Sequence, residues 1–91
     1  MKAQLDETKN LVTVRVCGRL GDESVPELAS CWTAARQAHP GQKISVDLRH
    51  VTFIDQEGRS LLERMHRDGA KFVVSGLMTR EIIDNIIRNG A

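Results

Sequence analysis

The chain holds 91 residues, 41% apolar and 27% charged, which suits one globular domain spanning 1–91 with a single modest core and excludes two. Its 13 basic and 12 acidic side chains leave a formal charge of +1, so it lacks the concentrated excess of Lys and Arg that sequence-independent nucleic-acid binding needs. The aromatic residues are Trp32, Phe53 and Phe72, too few for a platform on which bases stack.

From the N-terminus, Met1 to Glu7 carries no apolar run and does not read as a signal peptide. Ala3 and Leu5 alternate weakly, and Glu7-Thr8-Lys9-Asn10 suits a hairpin turn. Val12, Val14 and Val16 then alternate with Thr13, Arg15 and Cys17, the pattern of a strand with one buried and one wetter face. Ser24-Val25-Pro26-Glu27 reads as a capping box with proline in the first turn. Leu28, Trp32 and Ala35 trace one face of the helix that follows, with Val25 and Cys31 alongside, and His39-Pro40-Gly41 ends it.

Ile44, Val46 and Leu48 alternate with Ser45, Asp47 and Arg49 in the next strand. A second helix starts around Asp55, buries Leu61, Leu62 and Met65, and stops at Gly69. Phe72-Val73-Val74 is a short apolar strand. Thr79 is the expected N-cap of a last helix carrying Ile82, Ile83, Ile86 and Ile87. The order is β-β-α-β-α-β-α. Helical crossovers demand a mostly parallel four-stranded sheet, and the polar alternate positions place the helices on one face of it. No segment approaches the roughly 20 apolar residues of a membrane helix, so no direct membrane insertion is expected and the location is read as cytoplasmic.

The most informative stretch runs from Val51 to Leu62. It sets Asp55, Glu57 and Gly58 at a helix start, where unpaired N–H groups and the helix dipole hold negative charge. A catalytic carboxylate pair is not expected, because side chains two apart do not face a common point. His39, His50 and His66 read as ordinary surface histidines. A Cys17–His50 nucleophile has no oxyanion or positioning motif beside it. Gly18 to Gly21 lacks the ending of a phosphate loop. Cys17 and Cys31 lack metal-ligand spacing and read as small, partly buried hydrophobes in a reducing compartment, with a redox pair as the alternative. The expectation is a non-enzymatic chain with no metal and no cofactor. Arg59, Arg64, Arg67 and Lys71, interspersed with acids, read as a solvated helix face.

The run Val14-Arg15-Val16-Cys17-Gly18-Arg19-Leu20, followed by Ile44-Ser45-Val46-Asp47-Leu48-Arg49-His50-Val51-Thr52-Phe53-Ile54-Asp55 and then Gly58 opening a Leu-Leu helix, resembles the STAS domain. That family includes bacterial anti-sigma factor antagonists and the cytoplasmic domains of sulfate-type anion transporters. The resemblance covers about Asn10 to Ile87. It implies a regulatory module whose partner is an anti-sigma factor kinase. In such antagonists the hydroxyl just before the glycine matching Gly58 takes a phosphate, and the partner is released. Here Gln56 and Glu57 fill the two hydroxyl positions and neither accepts phosphate; Ser60 lies about a turn further on. Gly21 also departs from the acidic residue common there, with Asp22 one place later.

Glu57 is then either a fixed charge where relatives add one reversibly, or a helix N-terminal acid and nothing more. The expected partner surface comprises Phe53, Asp55, Gln56, Glu57, Gly58 and Arg59, with Glu63 and His66 on the same helix, and Asp22 from the loop Gly18 to Ser24. Phe53 is an apolar anchor if exposed and a core residue if not. The alternatives are a small STAS subunit docked on an ABC transporter ATPase for lipid transport, or a sensor of nucleotide or an anionic headgroup. The edge strand near Ala3 could pair in a homodimer.

Overall fold

The computed structural model describes residues 2–8 and 11–90. Lys9 and Asn10, the last two residues of the expected hairpin turn Glu7-Thr8-Lys9-Asn10, lie outside the described residues. The elements are β1 (Lys2–Thr8), β2 (Leu11–Leu20), α1 (Ser24–Ala38), β3 (Ile44–Ile54), α2 (Gln56–Arg67), β4 (Lys71–Val73) and α3 (Leu77–Gly90). They form one four-stranded sheet in the order β1-β2-β3-β4. β1 lies antiparallel to β2; β2 with β3 and β3 with β4 are parallel. No helix among the described residues is long and apolar enough to cross a membrane.

Period-two alternation builds the core. Val12, Val14 and Val16 of β2 and Ile44, Val46 and Leu48 of β3 are buried against Leu28, Trp32, Leu61, Leu62, Met65, Ile83 and Ile86 in one apolar cluster fed by all three helices. Thr13, Arg15, Cys17 and Ser45 on the opposite face are only half-buried. Asp47 is the exception there, at 2% exposed. Arg49 grips it through two hydrogen bonds, Nε to Oδ1 at 3.0 Å and Nη2 to Oδ2 at 2.9 Å. Arg15 adds an ionic contact through Nε at 3.5 Å, and its Nη2 pairs with Asp6 at 3.2 Å. The helix-free face is thus a charged ladder running Asp6–Arg15–Asp47–Arg49 across three strands.

The register of β2 on β3 slips between Arg15 and Cys17 and again between Gly18 and Arg19. Each slip places an extra residue on β3. Leu48 and Val51 are therefore both buried although three apart, while Arg49 and His50 between them are exposed. The second slip opposes Arg19 to Phe53 and leaves Phe53 45% exposed.

Three local expectations are corrected. Ser24 does not cap α1: it is the first helical residue, and Glu23 before it makes no side-chain cap. Its hydroxyl is occupied in the preceding turn, accepting from Gly21 N at 2.7 Å and lying 2.6 Å from the Gly21 carbonyl. The backbone supplies the missing cap, with Ser24 N donating to Gly21 O and Val25 N to Asp22 O. α3 starts at Leu77, two residues before the expected N-cap Thr79. β4 is Lys71–Val73, one residue N-terminal of the apolar run.

Candidate functional site

The site lies where β3 leaves the sheet. Asp55 is the N-cap of α2, with φ −90° and ψ −175°. Its Oδ1 accepts from Gly58 N at 2.7 Å, satisfying one of the free N–H groups of the first turn. Its Oδ2 accepts from Asp22 N at 3.1 Å, across 33 residues of chain. Asp55 N donates to Leu20 O at 3.0 Å. One residue therefore fastens the end of β2, the β2–α1 loop and the start of α2 together.

Two glycines make that fastening sterically feasible. A Cβ on Gly21 would stand 2.5 Å from Asp55 Oδ2. The position that departs from the acidic residue of STAS antagonists is thus one where this loop has no room for a side chain. A Cβ on Gly58 would stand 2.7 Å from the Leu20 carbonyl, so α2 begins packed directly on the backbone of β2. Asp22 completes the loop at φ 50°, a left-handed conformation that aspartate tolerates better than most residues.

The predicted site residues separate into two kinds. Asp55 and Gly58 are framework, half-buried and buried respectively. Gln56, Glu57, Asp22 and Phe53 are exposed around them, and Arg59 is half-buried. Asp55 and Glu57 do not act as a pair, because Asp55 is spent on two backbone amides while Glu57 is exposed in the first turn of α2. Arg19 joins this surface: its guanidinium sits 4.5 Å from the centre of the Phe53 ring. Sequence reading missed that contact, since the pair exists only through the register slip.

His66 and His39 correct their assignment as plain surface residues. His66 is half-buried, like Arg59 and Glu63 of the same helix, and stacks on Phe72 of β4 at 6.3 Å and 28°. His39 is half-buried with Nε2 3.2 Å from Glu7 of β1. Cys17 and His50 are register partners, with His50 exposed. Both cysteines are free and half-buried, and burial, with Glu27 nearby, pushes the Cys31 thiol pKa up. Among the described residues no three His, Cys, Asp or Glu side chains group as a metal site would require.

No protein-family model and no curated protein matches this sequence. Solved structures do. The anti-sigma factor antagonist SpoIIAA in its unphosphorylated form superposes with a TM-score of 0.68 at 21% identity, over 91% of this chain and 78% of that one. The chain has the SpoIIAA fold. The phosphorylated form of the Bacillus cell fate determinant SpoIIAA agrees, with a TM-score of 0.66 at 21% identity over 94% of this chain and 83% of SpoIIAA. Mglu, a much longer protein, matches with a TM-score of 0.62 at 19% identity over 82% of this chain, which spans only 19% of Mglu. The STAS resemblance thus holds at the level of fold, including the mixed sheet shared with SpoIIAA.

Proposed function

We propose that this chain is a non-enzymatic, cytoplasmic interaction module of the anti-sigma factor antagonist kind, whose partner-binding surface carries a permanent charge in place of a phosphorylation switch. The observation that carries this reading is the construction around Asp55. Its side chain locks the Gly21–Asp22 loop onto the N-terminus of α2, while Phe53, Gln56 and Glu57 are left exposed beside it. An exposed aromatic capped by an arginine and rimmed by charged side chains suits a modest, polar protein interface with one apolar anchor. The fold shared with SpoIIAA supports an anti-sigma factor with kinase activity as the partner class.

The chemistry of the loop supports the permanence. Gln56 and Glu57 have no hydroxyl to phosphorylate. Glu57 brings about one negative charge to a helix N-terminus where a phosphoserine would bring about 1.5 to 2. The charge is therefore constant and weaker than a phosphate.

Affinity capture from native lysate on the immobilised chain tests the proposal. Wild type is expected to retain an ATP-binding anti-sigma factor, Phe53→Ala to lose it at least tenfold while staying folded, and Glu57→Ser, in lysate depleted of ATP, to retain severalfold more of it. Retention of an ABC transporter ATPase instead, or capture indifferent to both substitutions, would overturn it.

A further inference from the structure

At the other end of the sheet, where β3 begins and α1 and α2 finish, lies an open cleft of about 750 Å³. That is within the range of about 300–1,000 Å³ typical of ligand sites. Its cations come from three separate parts of the chain: Arg36 in the last turn of α1, Lys43 in the α1–β3 loop, and Arg64 in the last turn of α2. Its apolar wall is formed by the edges of two core residues, Trp32 and Ile44, 5% and 3% exposed. Asp68 is the single acid of the lining, and it is already engaged, accepting from Trp32 Nε1 at 3.2 Å and paired with Arg36 Nη1 at 3.3 Å. Among the described residues, neither Lys43 nor Arg64 has a carboxylate within 4.0 Å.

Cations at helix C-termini offset the carbonyl dipoles there, which accounts for Arg36 and Arg64 in part. It does not account for Lys43, which is in no helix, or for a roomy cleft whose own acid is spent. We propose that this cleft is a docking site for an acidic peptide segment of a protein partner. Positive charges spread over three elements around an apolar wall fit carboxylates spread along an extended chain. A single small anion would leave most of the volume unfilled. The cleft is at the opposite end of β3 from the Asp55 loop, so its occupancy stands or falls independently of the reading proposed for that loop.

Trp32 is the chain's one tryptophan, and there is no tyrosine, so intrinsic fluorescence comes from a single residue of the cleft lining, hydrogen-bonded to Asp68. Titration of the full chain with an oligoglutamate peptide is expected to change the emission saturably, with affinity falling as salt is added. Lys43→Glu with Arg64→Glu should weaken binding at least tenfold, the milder Lys43→Gln severalfold, and Arg88→Glu on α3 not at all. No saturable change by fluorescence and no heat by calorimetry at millimolar peptide would overturn the proposal. So would equal binding by the double variant, or tripolyphosphate binding as tightly as the peptide.

Discussion

Asp55 makes two acceptor bonds to backbone amides, one within its own helix and one to Asp22 in a distant loop. Asp55→Ala removes both and leaves the Gly58 amide without its cap. A loss of about 1–2 kcal/mol is expected in urea unfolding, by the usual cost of deleting an N-cap. Asp55→Asn keeps an acceptor for Gly58 and should lose less than half as much. Gly58 gives the second expectation at this scale. Replacing a helical glycine by alanine ordinarily stabilises by up to about 1 kcal/mol. Here the new methyl would press on the Leu20 carbonyl at 2.7 Å, so Gly58→Ala should destabilise by about 1–3 kcal/mol instead. A midpoint rising in denaturant would contradict that packing. The cap at Asp55 was legible in the sequence because capping is local. Its bond to Asp22 was not, since nothing in a linear pattern brings positions 33 apart together.

At the scale of the elements, the charged ladder on the helix-free face has a pH signature. Arg49, hydrogen-bonded to the Asp47 carboxylate, lowers its pKa from 3.8 to about 2. A carboxylate whose pKa falls on folding adds stability that is full above its unfolded value and lost as pH drops through its folded one. That contribution should therefore be intact above pH 4 and disappear on approaching pH 2. Asp47→Asn should be less stable than wild type at pH 6, and the gap between the two should narrow between pH 4 and pH 2. A gap constant over that range would show that the ladder adds nothing through charge. The strands themselves were readable from valine, isoleucine and leucine alternation. The rule failed beyond Leu48, where two register slips turn Arg49, His50, Thr52 and Phe53 outward. A slip depends on the partner strand, so periodicity left Phe53 undecided between core and surface. Ser24 failed for a related reason, since its hydroxyl is claimed by the turn before it.

Across the whole molecule, the sheet holds two dissimilar ends. The end at Asp55 is rigidly built and exposes Glu57, and the end at Trp32 is open and basic. The order of elements, the sheet and its helix-bearing face were legible because they follow from hydrophobic pattern, and the likeness to SpoIIAA agrees with them. The frame of the site was legible through its resemblance to STAS domains, whereas the Arg19–Phe53 contact and the basic cleft arise only in three dimensions. We propose that the charge at position 57 sets partner affinity permanently. That proposal is tested most directly by titrating a purified candidate anti-sigma factor against wild type and Glu57→Ser, each with and without magnesium ATP. Wild type should bind with the same affinity in both conditions and take up no phosphate. Glu57→Ser should bind severalfold more tightly without ATP, then become phosphorylated and be released when ATP is added. ATP-dependent release of wild type, or identical ATP-independent binding by both proteins, would contradict it.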